Sequence, residues 1–144
     1  GGPVPWYLTA PVISDWYYQA MRVPTMADGQ SSDFLHPERF PGWADKYRTQ
    51  TYLRGFGRSL RRTIIARANT DFGVMYGAIE RGGVPTLLIW GKQDPTVPFA
   101  NSDIIRKAIP SLTFVPIDSS GHLPHMEQPT VTHAAMLTFF KKHK

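Results

Sequence analysis

Thr86-Leu87-Leu88-Ile89-Trp90-Gly91-Lys92-Gln93-Asp94-Pro95-Thr96-Val97-Pro98 is the stretch whose reading decides the fold. Its first part is an apolar run introduced by Pro85 and closed by Gly91, the pattern of a central strand buried on both faces of a parallel sheet. After a loop holding Asp94, Pro95 and Pro98, residues Asn101 to Ile109 set Ile104, Ile105, Ala108 and Ile109 on one side, which predicts a short amphipathic helix stopped by Pro110. Leu112 to Ile117 is a second apolar, β-branched run, and Asp118-Ser119-Ser120-Gly121 reads as a loop before His122. Gln128-Pro129-Thr130 then resembles a helix entry, and Val131, Ala134, Ala135, Met136, Leu137, Phe139 and Phe140 carry that helix into the basic end Lys141-Lys142-His143-Lys144. Strand, helix, strand, helix in this order predicts an α/β fold with parallel strands and flanking helices.

Upstream the texture changes. From Gly1 to about Gly83 the chain is rich in Pro, aromatic residues and Arg, with little alternation, and it reads as a mainly helical region. The expected division is therefore 1–83, a lid-like helical region and its return to the core, and 84–144, the sheet-forming part. Asp15 to Arg22 is expected to be helical and to end at the constraint that Pro24 places on Val23. Between Leu53 and Ala68, Phe56, Leu60, Ile64 and Ala68 recur on one face, with Arg54, Arg58, Arg61, Arg62 and Arg67 on a solvated one. The opening Gly1-Gly2-Pro3-Val4-Pro5 lacks an initiator Met and any signal-like pattern, which suggests an internal start.

Composition bounds what such a chain can be. Its 144 residues carry 16 Lys+Arg against 11 Asp+Glu, a net charge of +5, and 42% are hydrophobic. That is one domain, or half of a larger one, with enough apolar surface to form a core. The absence of cysteine excludes disulfides, thiolate metal sites and a Cys nucleophile. It leaves the compartment open, with the cytoplasm favoured. No apolar stretch approaches the roughly 20 residues of a spanning helix, so a soluble segment is expected. Nucleic acid is not expected as a partner, because aromatic residues are not interleaved with the arginines and Asp33, Asp45, Asp71 and Glu80 dilute the field. No metal site is expected either: His36, His122, His125, His133 and His143 lack partners at ligand spacing.

Asp94 and His122 each sit just past the carboxyl end of an expected parallel strand, where open α/β sheets place their ligand crevice. They should therefore converge. A carboxylate bonded to one imidazole nitrogen sets the tautomer and leaves the other nitrogen free to take a proton from a nucleophile. Each residue also has an ordinary alternative: Gln93-Asp94-Pro95-Thr96 is a plausible turn, and His122 could be a polar loop residue. His125 and Asp118 are the competitors, the first for the imidazole and the second for the carboxylate. Trp6, Tyr7, Trp16, Tyr17, Tyr18 and Phe34 could line an apolar acyl pocket or pack the helical region on its core.

The combination of an apolar strand, Trp90-Gly91-Lys92-Gln93-Asp94-Pro95-Thr96-Val97-Pro98, and Ser120-Gly121-His122 followed by Glu127 and Pro129 resembles the C-terminal half of an α/β-hydrolase. The resemblance is strongest from Val84 to Phe140, while Tyr52-Leu53-Arg54-Gly55-Phe56-Gly57-Arg58-Ser59-Leu60 looks like the esterase/lipase branch. It implies Asp94 as triad acid and His122 as triad base, with Glu127 and Pro129 in structural positions leading into the last helix. Glu127 would lend a carboxylate to a helix N-terminus. No cofactor is implied. The family's Gly-x-Ser-x-Gly elbow does not occur in these residues: Gly57-Arg58-Ser59-Leu60-Arg61 and Gly29-Gln30-Ser31-Ser32-Asp33 both lack the closing glycine. The resemblance thus implies a partner, an N-terminal half or companion chain carrying the nucleophile, without which this segment is inactive. The expected function is carboxylic ester hydrolysis on a small apolar substrate through an acyl-enzyme. The alternatives are epoxide, haloalkane or carbon–carbon bond hydrolysis on the same half-site, or a non-catalytic hydrolase-like binding protein.

Overall fold

In the computed structural model of this chain, residues 6–10, 12–68 and 70–144 are described; the suggested internal start at Gly1–Pro5 lies outside them. The described residues pack as two units, one drawn from 1–31 and 40–70 and the other from 32–39 and 71–144.

The first unit is built of helices: α1 (Trp6–Thr9), α2 (Ile13–Tyr17), a π-helical turn (Tyr18–Arg22), α3 (Val23–Gly29), α4 (Trp43–Thr51) and α5 (Phe56–Ala68). Contrary to expectation, the helical path does not stop at Val23. Pro24 lies in the first turn of α3, where its missing N–H has no intrahelical duty. The widened π turn lets the Val23 N–H reach the Tyr18 carbonyl, and the Thr25 hydroxyl donates to the Arg22 carbonyl at 3.1 Å. The proline thus ends an α register while the helix continues. Helix α4, which no apolar stripe announces, follows Gly42 in a left-handed conformation (φ 75°).

The inward face of α5 also differs from the expected one. Phe56 and Leu60 are half-buried and Gly57 is buried, but Ile64 and Ala68 are exposed. Arg61 turns inward instead, its Nε 2.9 Å from Asp15 Oδ1. At Gly57 the approach is close: a Cβ there would lie 2.8 Å from both Gln19 Nε2 and Val23 Cγ2, so the segment from Gln19 to Val23 approaches α5 through the missing side chain. Packing concentrates on the first turns of α5. Of the aromatic residues that could have shared a pocket, Trp6, Tyr7 and Tyr17 are in ring contact, with centroids 6.2 Å apart for Trp6–Tyr7 and 5.1 Å for Tyr7–Tyr17. Tyr18 and Phe34 are buried, Trp6 and Trp16 are exposed, and Phe34 belongs to the second unit.

The second unit is a small parallel sheet with helices. Helix α6 (Phe72–Arg81) is capped by Asp71, whose carboxylate accepts from the N–H groups of Gly73 and Val74 at 2.9 and 3.1 Å. Strands β1 (Leu87–Gly91) and β2 (Thr113–Ile117) pair in parallel from Leu87 opposite Thr113 to Gly91 opposite Ile117. A short 3₁₀ turn (Phe99–Asn101) and α7 (Ser102–Ala108) form the crossover. Two helices follow, α8 (Pro124–Glu127) and α9 (Pro129–Lys142), and α9 packs on both strands. Leu87 to Trp90 are half-buried, and β2 is their hydrogen-bonded neighbour in the sheet. The expected central strand buried on both faces is therefore not formed within these residues, because an apolar run signals how much burial a strand tolerates and not how many neighbours the surrounding chain supplies. Among the described residues, no helix is long and apolar enough to cross a membrane.

The carboxyl ends of the two strands meet closely. A Cβ on Gly91 would fall 2.0 Å from the Gly121 carbonyl oxygen and 2.5 Å from that of Ser120. Only glycine admits that approach.

Gly91→Ala should destabilise the protein by about 3 kcal/mol or more, because the atoms in conflict are backbone and cannot rotate away; urea unfolding with an unchanged midpoint would refute the close approach. Burial raises the Tyr18 hydroxyl above its ordinary value of 10.0, outweighing the opposing pull of the Arg22 charge. The folded state therefore holds that proton more tightly than the unfolded one, so its contribution is complete below pH 10 and is lost as pH rises above it. Tyr18→Phe should flatten the alkaline fall in melting temperature.

Candidate active site

The loop after β1 folds back on its own carboxylate. Asp94 Oδ1 accepts from the N–H groups of Thr96 and Val97, both at 2.8 Å, a local turn that Asp makes readily. This occupies one oxygen and aims the other outward. Asp94 Oδ2 lies 2.8 Å from His122 Nδ1. The carboxylate side chain is 3% exposed and the imidazole 37% exposed, so the acid is shielded while the ring remains reachable. With a carboxylate as its acceptor, Nδ1 carries the proton and Nε2 is left as the basic nitrogen. Trp90 Nε1 donates to the Val97 carbonyl at 3.2 Å, bracing the same loop from the strand.

The loop after β2 is held from several sides. Gln93 N–H donates to the Ser120 carbonyl at 3.0 Å, and Gln93 Oε1 accepts from Ser120 N–H at 3.2 Å, so one residue of the acid loop grips the histidine loop twice. Ser119 takes a left-handed conformation (φ 52°), and its carbonyl accepts from Gln128 Nε2 at 3.0 Å. The His122 N–H donates to the Asp33 carbonyl at 2.8 Å.

Glu127 does more than serve a helix end. It is 2% exposed, and its carboxylate accepts from Gly121 N–H at 2.5 Å and from Leu35 N–H at 2.7 Å, with Ser120 Oγ at 3.3 Å. The expected dipole role is replaced by a structural one: a buried carboxylate must be satisfied, and here one backbone donor six positions away and another 92 positions away satisfy it. Its spacing after His122 was visible in the sequence. Its Leu35 donor was not, since Leu35 and Glu127 stand 92 positions apart.

The competing residues lie elsewhere. Asp118 pairs with Lys92 Nζ at 2.8 Å and is 75% exposed, and His125 is exposed on α8. Beside Asp94 and His122 opens a depression of about 210 Å³, lined mainly by Leu88, Ile89, Trp90, Val97 and Pro124. The surface facing the imidazole is apolar. No cluster of His, Asp and Glu suited to a metal ion occurs among the described residues.

Comparison with known proteins agrees with this architecture. Residues 43–129, more than half of the chain, match the family model described as the alpha/beta hydrolase fold. The chain belongs to the α/β-hydrolase fold family. Among curated proteins it is similar to monoacylglycerol lipase ABHD6 of Mus musculus, with 36% identity over 56 residues, which is 39% of this chain and 17% of that protein. The human protein of the same name is 34% identical over the same length. Among solved structures it is similar to a thermophilic esterase from Thermogutta terrifontis, bound to malate, with a TM-score of 0.71 and 22% identity over 97% of this chain and 52% of that one. It is also similar to 2-hydroxy-6-oxo-6-phenylhexa-2,4-dienoate hydrolase from Rhodococcus sp. strain RHA1, with a TM-score of 0.63 and 20% identity over 88% of this chain and 47% of that one. The chain thus spans about half the length of these α/β-hydrolase structures, and the alignments cover 17% of the curated lipases.

Glu127→Gln tests the buried carboxylate. The amide offers one acceptor where two N–H groups need one each, so unfolding free energy should fall by about 2 kcal/mol, read by urea denaturation. An unchanged value would mean that these backbone donors find other partners.

Proposed function

We propose that this chain supplies the acid and the general base of a serine-type hydrolase acting on carboxylic esters. The observation that carries the reading is the 2.8 Å contact between Asp94 Oδ2 and His122 Nδ1, with the other carboxylate oxygen already engaged by backbone N–H groups. In that arrangement His122 Nε2 takes the proton from the attacking hydroxyl as it forms the acyl-enzyme. It first returns the proton to the leaving alcohol, then activates water for the second step. Asp94 holds the ring in the tautomer this requires and balances the imidazolium that forms. No cofactor takes part in these steps.

The nucleophile and the oxyanion donors belong, in this reading, to sequence outside these 144 residues, on an N-terminal half or a companion chain. The apolar depression beside His122 suits an acyl or alkyl group, and the similarity to curated monoacylglycerol lipases favours lipid-like esters over charged ones. Without the segment that presents the hydroxyl, His122 has no group to deprotonate, so the 144-residue chain alone is inactive.

The test is hydrolysis of a p-nitrophenyl ester by the assembly that includes the nucleophile-bearing segment. Asp94→Asn should lower kcat by about 10⁴ and His122→Ala by about 10⁶, and the isolated chain should give the rate of buffer. Turnover by the parent assembly no faster than buffer, unchanged in His122→Ala, would instead favour a hydrolase-like binding protein.

A further inference from the structure

Asp33 contacts both loops that carry the acid and the base, although it lies far from each in sequence. Its carboxylate oxygen Oδ1 accepts from Thr96 Oγ1 at 2.6 Å, across 63 positions. Thr96 is the residue whose own N–H donates to Asp94 Oδ1. The Asp33 carbonyl accepts from the His122 N–H at 2.8 Å. Two residues on, Leu35 N–H donates to Glu127, which also holds Gly121 N–H. A Cβ on Gly121 would sit 2.8 Å from the Asp33 carbonyl oxygen and 2.7 Å from Leu35 N, so segment 33–35 lies directly on the histidine loop. These segments all belong to one compact unit.

We propose that Asp33–Leu35 is a clasp that sets the alignment of the His122 imidazole on the Asp94 carboxylate, with Asp33 as a positioning residue for the pair. The side chain of Asp33 fixes the acid loop through Thr96, and its carbonyl fixes the backbone of His122. A single residue therefore ties the two loops together, in addition to the two hydrogen bonds between Gln93 and Ser120. A hydrogen bond weakens steeply as its geometry departs from linear, so an error in the offset between the loops falls first on the Asp94–His122 contact. Each clasp bond is individually modest. Their effect on the imidazole comes from acting on two loops at once.

The clasp rests on the reading of Asp94 and His122 as a working pair, and its test separates the two. In the full chain, the Nδ1 proton of His122 is observed by ¹⁵N-edited NMR, and its exchange with water is measured alongside the melting temperature. Asp33→Ala and Thr96→Val should each speed that exchange roughly tenfold while the melting temperature moves little, and Thr96→Ser, which keeps the hydroxyl, should restore the parent rate. Parent-like exchange in both Asp33→Ala and Thr96→Val would overturn the clasp. Absence of a protected Nδ1 proton in the parent itself would overturn the pairing, and the clasp with it. A protected proton that responds to the clasp variants in an assembly without ester turnover would leave the clasp standing and remove the proposed function.

Discussion

A carboxylate that cannot be left dry organises this site. Burying Glu127 at 2% exposure is costly unless its oxygens find donors. The donors it finds are the backbone N–H groups of Gly121 and Leu35, with the Ser120 hydroxyl nearby. Satisfying that one group draws a segment from the helical half of the sequence onto the loop that carries His122. The rest of the arrangement follows from this convergence. The His122 backbone meets the Asp33 carbonyl, Gln93 bonds Ser120 on both its N–H and its carbonyl, and Gly91 admits the histidine loop against the end of β1.

The parallel sheet explains why the two loops can meet at all. Because β1 and β2 run the same way and pair in register up to Gly91 and Ile117, both chains leave the sheet at the same edge. Asp94 and His122 then need only short loops to face each other. The acid is secured by its own turn and the base by its neighbours. This division suits the chemistry proposed for them: the carboxylate is shielded, whereas the imidazole side chain remains partly exposed.

Much of this was legible in local sequence. The apolar runs at Leu87–Trp90 and Thr113–Ile117, the helix between them and the long final helix are all local in origin, arising from apolar periodicity and proline or glycine punctuation. Asp94 and His122 stood out because each follows such a strand within a recognisable motif. Illegible were features arising from contacts between distant residues or from the geometry of a single turn. The π turn that carries a helix through Pro24 depends on a hydrogen bond spanning five residues, and the inward turn of Arg61 depends on its pairing with Asp15, 46 positions away. Helix α4 has too weak an apolar stripe to announce itself.

By itself, the sequence determined the order and type of the sheet-forming elements and which two side chains were candidates for proton transfer, because strand burial, turn chemistry and loop position are properties of a few neighbouring residues. Only the tertiary structure decided that Asp33, Leu35 and Glu127 would gather on the histidine loop and that Asp118 would turn away to Lys92. Those outcomes depend on where a buried charge and a polar backbone find partners in space, and hydrogen-bond satisfaction at that range leaves no periodic mark along a chain.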